Sequence, residues 1–346
     1  MKDLIFDNLF VLELANNHWG SLTRGKKIVK KFSEIVRNNK VRAAIKLQFR
    51  DVDNFVHPQF KDKNSRYIQK TIQTKLTYDE FSELIQYIRI HNCVTMATPF
   101  DETCVDWCVD MGVDIIKIAS SDINDWLLLN KVVTTKKPTV ISTGGANDKQ
   151  IDDVVRLFEH KNIPLAINHC ISKYPTEDFE LELNQIDYLK YRYPNHVVGL
   201  STHEYHDWET SMLISYAKGA RTWERHIDLP YGKDEHREVS SYCSTPKQIE
   251  TWFKAFNRAV TMCGNTSLNR RIIDEKESEY LFSLYRGLYA KTDLEKGKKL
   301  YKEDLYSAVP YQKEIGQLTS REFVNGDFAL NKNIKQSDPI TKDDVE

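Results

Sequence analysis

The stretch LFVLELANNHWG, residues 9–20, joins an apolar run to a cluster of polar side chains. Its first seven residues have the composition of a buried strand. The segment then ends in Glu13, Asn16, Asn17 and His18, which is more polar chemistry than a turn needs. Seven further apolar runs along the chain end in the same way. The eight runs cover residues 9–15, 43–49, 93–100, 114–120, 138–144, 164–170, 197–203 and 222–227.

The segments between these runs have helical periodicity. In 76–92 and 148–163, for example, apolar residues recur at i, i+3 and i+4. Eight strand-like runs alternating with helices predict parallel βαβ units closed into a (β/α)8 TIM barrel. The charged and aromatic segment 50–70 is interpreted as an extended loop after the second strand.

A second unit is predicted at the C-terminal end of the chain. Two stretches there, LYKEDL (300–305) and ITKDDV (340–345), share a pattern that suggests a small, irregular β-rich unit. We expect a barrel over residues 1–263, a linker over 264–283 and the small domain over 284–346.

Composition narrows the class of protein. The 346 residues include 49 Lys and Arg against 50 Asp and Glu, so no basic footprint for nucleic acid exists. The N-terminus lacks the apolar core of a signal peptide, and no run reaches the ~18 apolar residues of a membrane helix. We therefore expect a cytoplasmic protein with no membrane partner. Six cysteines without a CxxC pair indicate reduced thiols, and Cys104 and Cys108 are interpreted as small apolar residues on one helix face.

The polar strand endings predict an active site at the carboxyl edge of the barrel. Each residue alone has a structural explanation: a serine can cap a helix, a lysine can extend to the rim, and a histidine can be bonded in the core. Together they lie at one edge of one predicted architecture. They include Glu13, Lys46, Gln48, Thr98, Lys117, Ser120, Asp122, Ser142, Ser172, Ser201, His203 and His226.

The chemistry of these residues suggests an anion and a metal ion. Lys46 and Lys117, with the neighbouring hydroxyls, suit a phosphate or a carboxylate. His203 and His226 end consecutive strands, so both imidazoles could reach one divalent cation that acts as a Lewis acid. Glu13 could be a third ligand or a proton carrier. The stretch STGGAND (142–148) lacks the spacing of a phosphate-binding glycine loop, so strand ends must build the anion site.

In order along the chain, these motifs resemble those of the sialic acid synthases, the N-acylneuraminate synthases and their nonulosonic acid relatives. The C-terminal unit is similar to the antifreeze-like (SAF) domain of that family. The motifs that carry the resemblance are ELANNHWG (13–20), IKLQ (45–48), ATPFD (97–101), KIASSD (117–122), ISTGGA (141–146), HCISKYPT (169–176), LSTHE (200–204) and WERHI (223–227).

The resemblance implies condensation of phosphoenolpyruvate with an aldose to give a 2-keto-3-deoxy acid and phosphate. It implies that Glu13 handles protons and that His203 and His226 hold a divalent metal, Mn²⁺ or Mg²⁺. It also implies a domain-exchanged homodimer. The residues expected to bind phosphoenolpyruvate are Lys46, Thr98, Lys117, Ser120, Ser142, Ser172 and Ser201, and those expected to face the sugar are Gln48, Asp122, Tyr174 and, in the loop 231–240, Asp234 or Glu235.

Departures from the family pattern concern the sugar. Asp122 stands where the family has a longer glutamate, Thr202 replaces an aspartate, and Val309 replaces a small-domain arginine, for which Arg321 is a candidate substitute. We therefore predict an acceptor other than plain N-acetylmannosamine. Two alternatives are an aldolase that uses Lys117 or Lys46 as a Schiff-base nucleophile, and a catalytically inactive sugar-binding homologue.

Overall fold

The computed structural model describes residues 2–61, 65–232, 237–264 and 270–346. The chain forms two compact units, Met1–Gly264 and Asn265–Glu346. None of the described helices is long and apolar enough to cross a membrane.

The larger unit is a closed parallel barrel, which confirms the predicted (β/α)8 architecture. Eight strands pair in chain order, and β1 pairs with β8 to close the sheet. A two-residue strand, β9, follows the barrel and pairs with β8. The strands are β1 Leu9–Ala15, β2 Arg42–Phe49, β3 Val94–Pro99, β4 Ile115–Ile118, β5 Thr139–Ser142, β6 Leu165–Cys170, β7 Val197–Ser201, β8 Thr222–Ile227 and β9 Cys243–Ser244.

Helices surround the barrel and begin at polar caps. Thr77 and Asn147, for example, each form a capping box with the third helical residue. The segment expected as an extended loop contains two short helices, α2 and α3. The helices of the larger unit are α1 Leu22–Asn39, α2 Val52–Phe55, α3 Arg66–Gln73, α4 Tyr78–Ile90, α5 Glu102–Asp110, α6 Trp126–Thr134, α7 Asp148–His160, α8 Gln185–Arg192, α9 Thr210–Ala217 and α10 Pro246–Cys263.

Strand alternation separates the outer core from the barrel interior. On β1, Phe10 and Leu12 point outward into the core beneath the helices, while Leu9 and Val11 belong to the interior cluster. The next interior position is Glu13. On other strands, too, an apolar interior residue is followed two positions later by a polar one. The pairs are Ala44 and Lys46, Met96 and Thr98, Ile115 and Lys117, and Val140 and Ser142. The interior therefore has an apolar floor beneath a polar layer, and that layer faces the carboxyl end.

Two cysteines of the larger unit confirm their expected role. Cys104 and Cys108 lie on α5, and both are buried in the outer core as free thiols.

The smaller unit has its own core and little regular structure. It contains the antiparallel strands β10 Gly287–Ala290 and β11 Leu305–Ala308, and the helices α11 Glu275–Ser283 and α12 Ser320–Asn325. Leucine and isoleucine side chains between residues 288 and 340 form its buried cluster. Its antifreeze-like identity stays a prediction.

Candidate active site

A cavity of about 580 Å³ opens at the carboxyl ends of the barrel strands. Twelve of the predicted site residues line it. They are Glu13, Lys46, Gln48, Thr98, Lys117, Ser120, Ser142, Ser172, Tyr174, Ser201, His203 and His226.

An ionic network lies directly above the apolar floor of the barrel. Glu224 bridges two lysines: one carboxylate oxygen lies 3.2 Å from Lys46 Nζ, and the other lies 2.8 Å from Lys117 Nζ. Lys46 Nζ also contacts the Glu13 carboxylate and donates to Thr98 Oγ1 at 3.1 Å. All of these side chains are buried. The two lysines are therefore held in place before any anion binds.

The charges of this network depend on one another. Burial by itself raises the pKa of Glu224, but attraction by Lys117 and Lys46 outweighs burial and lowers that pKa to about 2. Burial would lower the pKa of Lys46, yet Glu13 and Glu224 raise it above its usual value. Glu224 is therefore ionised and Lys46 is protonated at neutral pH.

Glu13 is a buried carboxyl group held by an irregular turn of its own strand. Burial raises its pKa, the charge of Glu224 adds to this, and Lys46 partly offsets it. The pairing of β1 with β2 shifts register between Glu13 and Ala15, and Ala15 has a φ of 49°. This turn directs the Ala15 N–H to Glu13 Oε1 at 2.6 Å. A fixed carboxyl group with a raised pKa is suited to proton transfer.

Three small residues form a recess beside the lysines. The Gly144 N–H donates to Ser120 Oγ at 3.1 Å. A Cβ atom at Gly144 would lie 2.2 Å from Ser172 Oγ and 2.8 Å from Ser120 Oγ, so only glycine fits there without displacing these hydroxyls. Lys117 Nζ donates to a further hydroxyl, Ser142 Oγ, at 2.6 Å. The hydroxyl groups and the ammonium groups together resemble the donor set of a phosphate site.

Two neutral histidines, His203 after β7 and His226 on β8, also line the cavity. The rings of His203 and His226 have centroids 5.4 Å apart, and the ring of Tyr174 packs on His203 at 4.0 Å. Burial, with repulsion by His226, lowers the pKa of His203 to about 3. Burial, with repulsion by Lys46, lowers the pKa of His226 to about 3. Both rings are therefore uncharged at neutral pH.

These histidines have the properties of metal ligands. His203 Nδ1 lies 3.0 Å from the Ile171 carbonyl oxygen, which can only accept, so Nδ1 carries the proton and Nε2 keeps its lone pair. Within the described ranges, no three His, Cys, Asp or Glu side chains are grouped to hold a metal ion. A neutral imidazole with an available Nε2 lone pair is a ligand type of divalent cations, and a metal ion at this pair stays a prediction.

The remaining predicted residues lie elsewhere. Asp122 is half-buried beside the cavity and is not among its lining residues; its Oδ1 accepts from Ser121 Oγ at 2.9 Å. Burial raises the pKa of Asp122 to about 6. Asp234 and Glu235 lie outside the described residues. In the opening motif, Asn17 lines the cavity and donates to the Ile227 carbonyl oxygen, whereas His18 has a structural role and accepts from the Gly20 N–H.

Sequence reasoning gave no role to several residues that line the cavity, among them Glu224, Arg50 and Lys70. The role of Glu224 could have been inferred, because it precedes His226 by two residues on β8 and strand alternation puts both on the interior face. Arg50 follows β2 in the segment that we interpreted as a loop, and nothing in its sequence context indicates burial.

Comparisons with known proteins show what this chain is similar to. The model of the NeuB family matches residues 38–267. The pseudaminic acid synthase of Campylobacter jejuni is 28% identical over 92% of this chain and 94% of its own. The N-acetylneuraminate-9-phosphate synthase of Drosophila melanogaster is 28% identical over 74% of this chain and 68% of its own. A crystal structure of a putative spore coat polysaccharide biosynthesis protein E from Chromobacterium violaceum superimposes with a TM-score of 0.88 at 32% identity, covering 98% of this chain and 99% of that one.

Proposed function

The chain belongs to the NeuB family of sialic and nonulosonic acid synthases, and from this premise we propose that it condenses phosphoenolpyruvate with an aldose. The observation that carries the proposal is the placement of Lys46 and Lys117, with their hydroxyl neighbours, beside a buried carboxyl group and two neutral histidines in one cavity.

The proposed reaction forms one carbon–carbon bond and breaks one carbon–oxygen bond. C3 of phosphoenolpyruvate attacks the aldehyde carbon of the sugar, and the aldehyde oxygen takes up a proton. Water then adds at C2 and gives up a proton, and the C2–O bond breaks to release inorganic phosphate. The products are a 2-keto-3-deoxy sugar acid and phosphate.

The residues of this chain supply charge, orientation and proton transfer. Lys46 and Lys117 bind the carboxylate and phosphate groups. The hydroxyls of Ser120 and Ser172, in the recess at Gly144, donate hydrogen bonds to the phosphate oxygens. Glu13 exchanges a proton with the aldehyde oxygen or the attacking water. His203 and His226 would hold Mn²⁺ or Mg²⁺, which when bound would supply Lewis-acid stabilisation of the developing negative charge.

The aldolase alternative fits this cavity less well. A Schiff-base lysine needs a lowered pKa so that its amine is neutral. The pKa of Lys46 is raised, and Lys117 is paired with the ionised Glu224 at 2.8 Å.

The experiment is phosphate release from phosphoenolpyruvate against a panel of aldoses, with Mn²⁺ and with EDTA. The panel includes N-acetylmannosamine, its 6-phosphate and diacetamido-trideoxyhexoses. Metal-dependent release with at least one aldose, together with a new keto acid, supports the proposal. Binding of a sugar without turnover would favour the inactive homologue.

We also propose that the protein is cytoplasmic, since phosphoenolpyruvate is a cytoplasmic metabolite. In addition, we propose that it forms a homodimer. Helix α11 has no buried residue, and the apolar side chains Tyr280, Leu281 and Phe282 on it are exposed within the single chain. Light scattering on the purified protein tests this, because a monomer at micromolar concentration contradicts it.

A further inference from the structure

The cavity contains a second cationic group, separate from the lysines at its floor. Arg50 is only 6% exposed, yet no carboxylate within the described ranges forms an ion pair with it. Its guanidinium group donates to two neutral oxygens, Gln48 Oε1 at 3.0 Å and Asn16 Oδ1 at 3.3 Å. Its Nε is buried and has no hydrogen-bond partner among the described residues. A guanidinium group carries five N–H donors and stays charged at any pH a protein tolerates.

Aromatic rings hold this guanidinium group in a fixed position. Its central carbon lies 3.7 Å from the ring centroid of Phe100 and 5.8 Å from that of Phe55. Phe100 follows the end of β3 and Phe55 belongs to α2, so two separate parts of the chain hold the guanidinium group. A buried cation without a counter-ion is costly, and an anion bound against its free edge would offset that cost.

Lys70 on α3 adds a second positive charge to this part of the cavity. It also lines the cavity, with Nζ 5.3 Å from the Trp19 ring centroid, and forms no ion pair within the part of the chain that the structure describes. Burial lowers the pKa of Lys70, and repulsion by Arg66 and Arg50 contributes. Arg50 and Lys70 therefore both lie in this part of the cavity, and no carboxylate of the described residues forms an ion pair with either of them.

The described carboxylates near Arg50 and Lys70 either pair with other groups or do not line the cavity. Asp228 pairs with Arg24 at 2.7 Å and accepts from the Tyr231 hydroxyl at 2.9 Å. Glu13 contacts Lys46. Asp122 is near enough to Arg50 for its pKa to be affected, but it does not line the cavity. An incoming anion would therefore meet cations that the described carboxylates leave unpaired.

Arg50 lies four residues after Lys46, one of the lysines proposed to bind phosphoenolpyruvate. Lys46, Gln48 and Arg50 follow one another at two-residue intervals from the interior of β2 toward the rim, and all three line the cavity. At about 3.3 Å per residue, the Cα of Arg50 lies roughly 13 Å from that of Lys46. The two cations therefore belong to different depths of the cavity, with Gln48 between them along the chain.

We infer that Arg50, assisted by Lys70, recognises an anionic group at the end of the acceptor sugar that lies away from its aldehyde. The inference rests on the proposed function, since it names the class of acceptor that the same cavity takes. The anion is a phosphate ester or a carboxylate, and both match the fork of N–H donors on a guanidinium group.

The test compares acceptors that differ only in charge. Mannose, glucose and N-acetylmannosamine are each supplied as the neutral sugar, the 6-phosphate and the 6-carboxylate. Their binding to the full-length protein is measured by titration calorimetry at saturating phosphoenolpyruvate with EDTA, so that turnover does not interfere. We expect at least one anionic form to bind about tenfold or more tightly than its neutral parent, and the preferred form distinguishes phosphate from carboxylate.

Matched variants assign this preference to the site. Arg50→Gln should abolish the preference, Arg50→Lys should retain part of it, and Lys70→Gln should weaken it. Arg156→Gln removes an exposed arginine from α7 and should leave the preference intact. Phosphoenolpyruvate affinity, measured alone, should be the same in all four variants, which also verifies that they are folded.

The outcomes separate this inference from the proposed function. Equal affinity for neutral and anionic sugars, or a preference that survives Arg50→Gln, overturns the role of Arg50 even if phosphate release with neutral sugars establishes the synthase. Absence of phosphoenolpyruvate binding overturns the proposed function itself.

Discussion

Replacing Glu224 by glutamine should destabilise the barrel, because it leaves two buried lysines with less counter-charge. In the wild-type protein, the fall in the pKa of Glu224 from 4.5 to about 2 corresponds to about 3 kcal/mol of stability. This value agrees with the loss of about 3–5 kcal/mol that typically follows removal of one partner of a buried ion pair. For a unit of this size, the melting temperature should fall by roughly 6–12 °C.

The pH dependence of this effect has a defined sign. A carboxyl group whose pKa is lowered by folding contributes its full stability above its unfolded pKa of 4.5 and loses it as the pH falls to about 2. The difference in the free energy of unfolding between wild type and Glu224→Gln should therefore be constant from pH 7 to pH 5 and shrink between pH 4.5 and pH 2.

Urea denaturation followed by circular dichroism at a series of pH values measures this difference. Glu250→Gln, on the exposed face of α10, is the matched control and should leave the free energy of unfolding unchanged. A loss below about 1 kcal/mol at pH 7, the range of exposed ion pairs, would refute the reasoning, as would a difference that persists undiminished at the acid limit.

Three further substitutions test other parts of the molecule. Gly144→Ala should raise the KM for phosphoenolpyruvate by about tenfold or more, because its Cβ would displace Ser172; an unchanged KM would contradict the recess. His203→Gln should weaken Mn²⁺ binding, measured by electron paramagnetic resonance without substrate, and equal binding would exclude this residue as a ligand. Phe10→Ala should lower the free energy of unfolding, measured by urea denaturation, by about 3–5 kcal/mol, because the ring centroid of Phe10 lies 5.4 Å from that of Trp223 and 4.9 Å from that of Trp252. A decrease below about 1 kcal/mol would contradict its place in the core.

The sequence predicts the barrel because one physical rule acts eight times. Each strand alternates between the outer core and the interior, so the polar residue at its end falls on the interior face, as Lys46 does after Ala44. The lysines and histidines of the cavity were found in this way, since they lie at or near strand ends.

Residues whose role depends on contacts across the barrel were harder to predict. Glu224 lies between Lys46 and Lys117, whose sequence positions are far from its own, and no local pattern reports that it bridges them. The guanidinium group of Arg50 is covered by Phe100, which follows β3 and is distant from Arg50 in sequence. The motif predicts that Asp122 faces the sugar, and the turn after β4 places it next to the lining residue Ser121, so its role stays a prediction.

The seam between β1 and β8 determines when the site comes into existence during synthesis of the chain. Glu13 lies opposite His226 across this seam, so it meets this neighbour only after residue 226 has been translated. A nascent barrel that lacks its last strand leaves β1, which carries Glu13, without its second neighbour and cannot assemble the two-histidine pair. The complete cavity therefore forms only after translation has passed the last strand of the barrel.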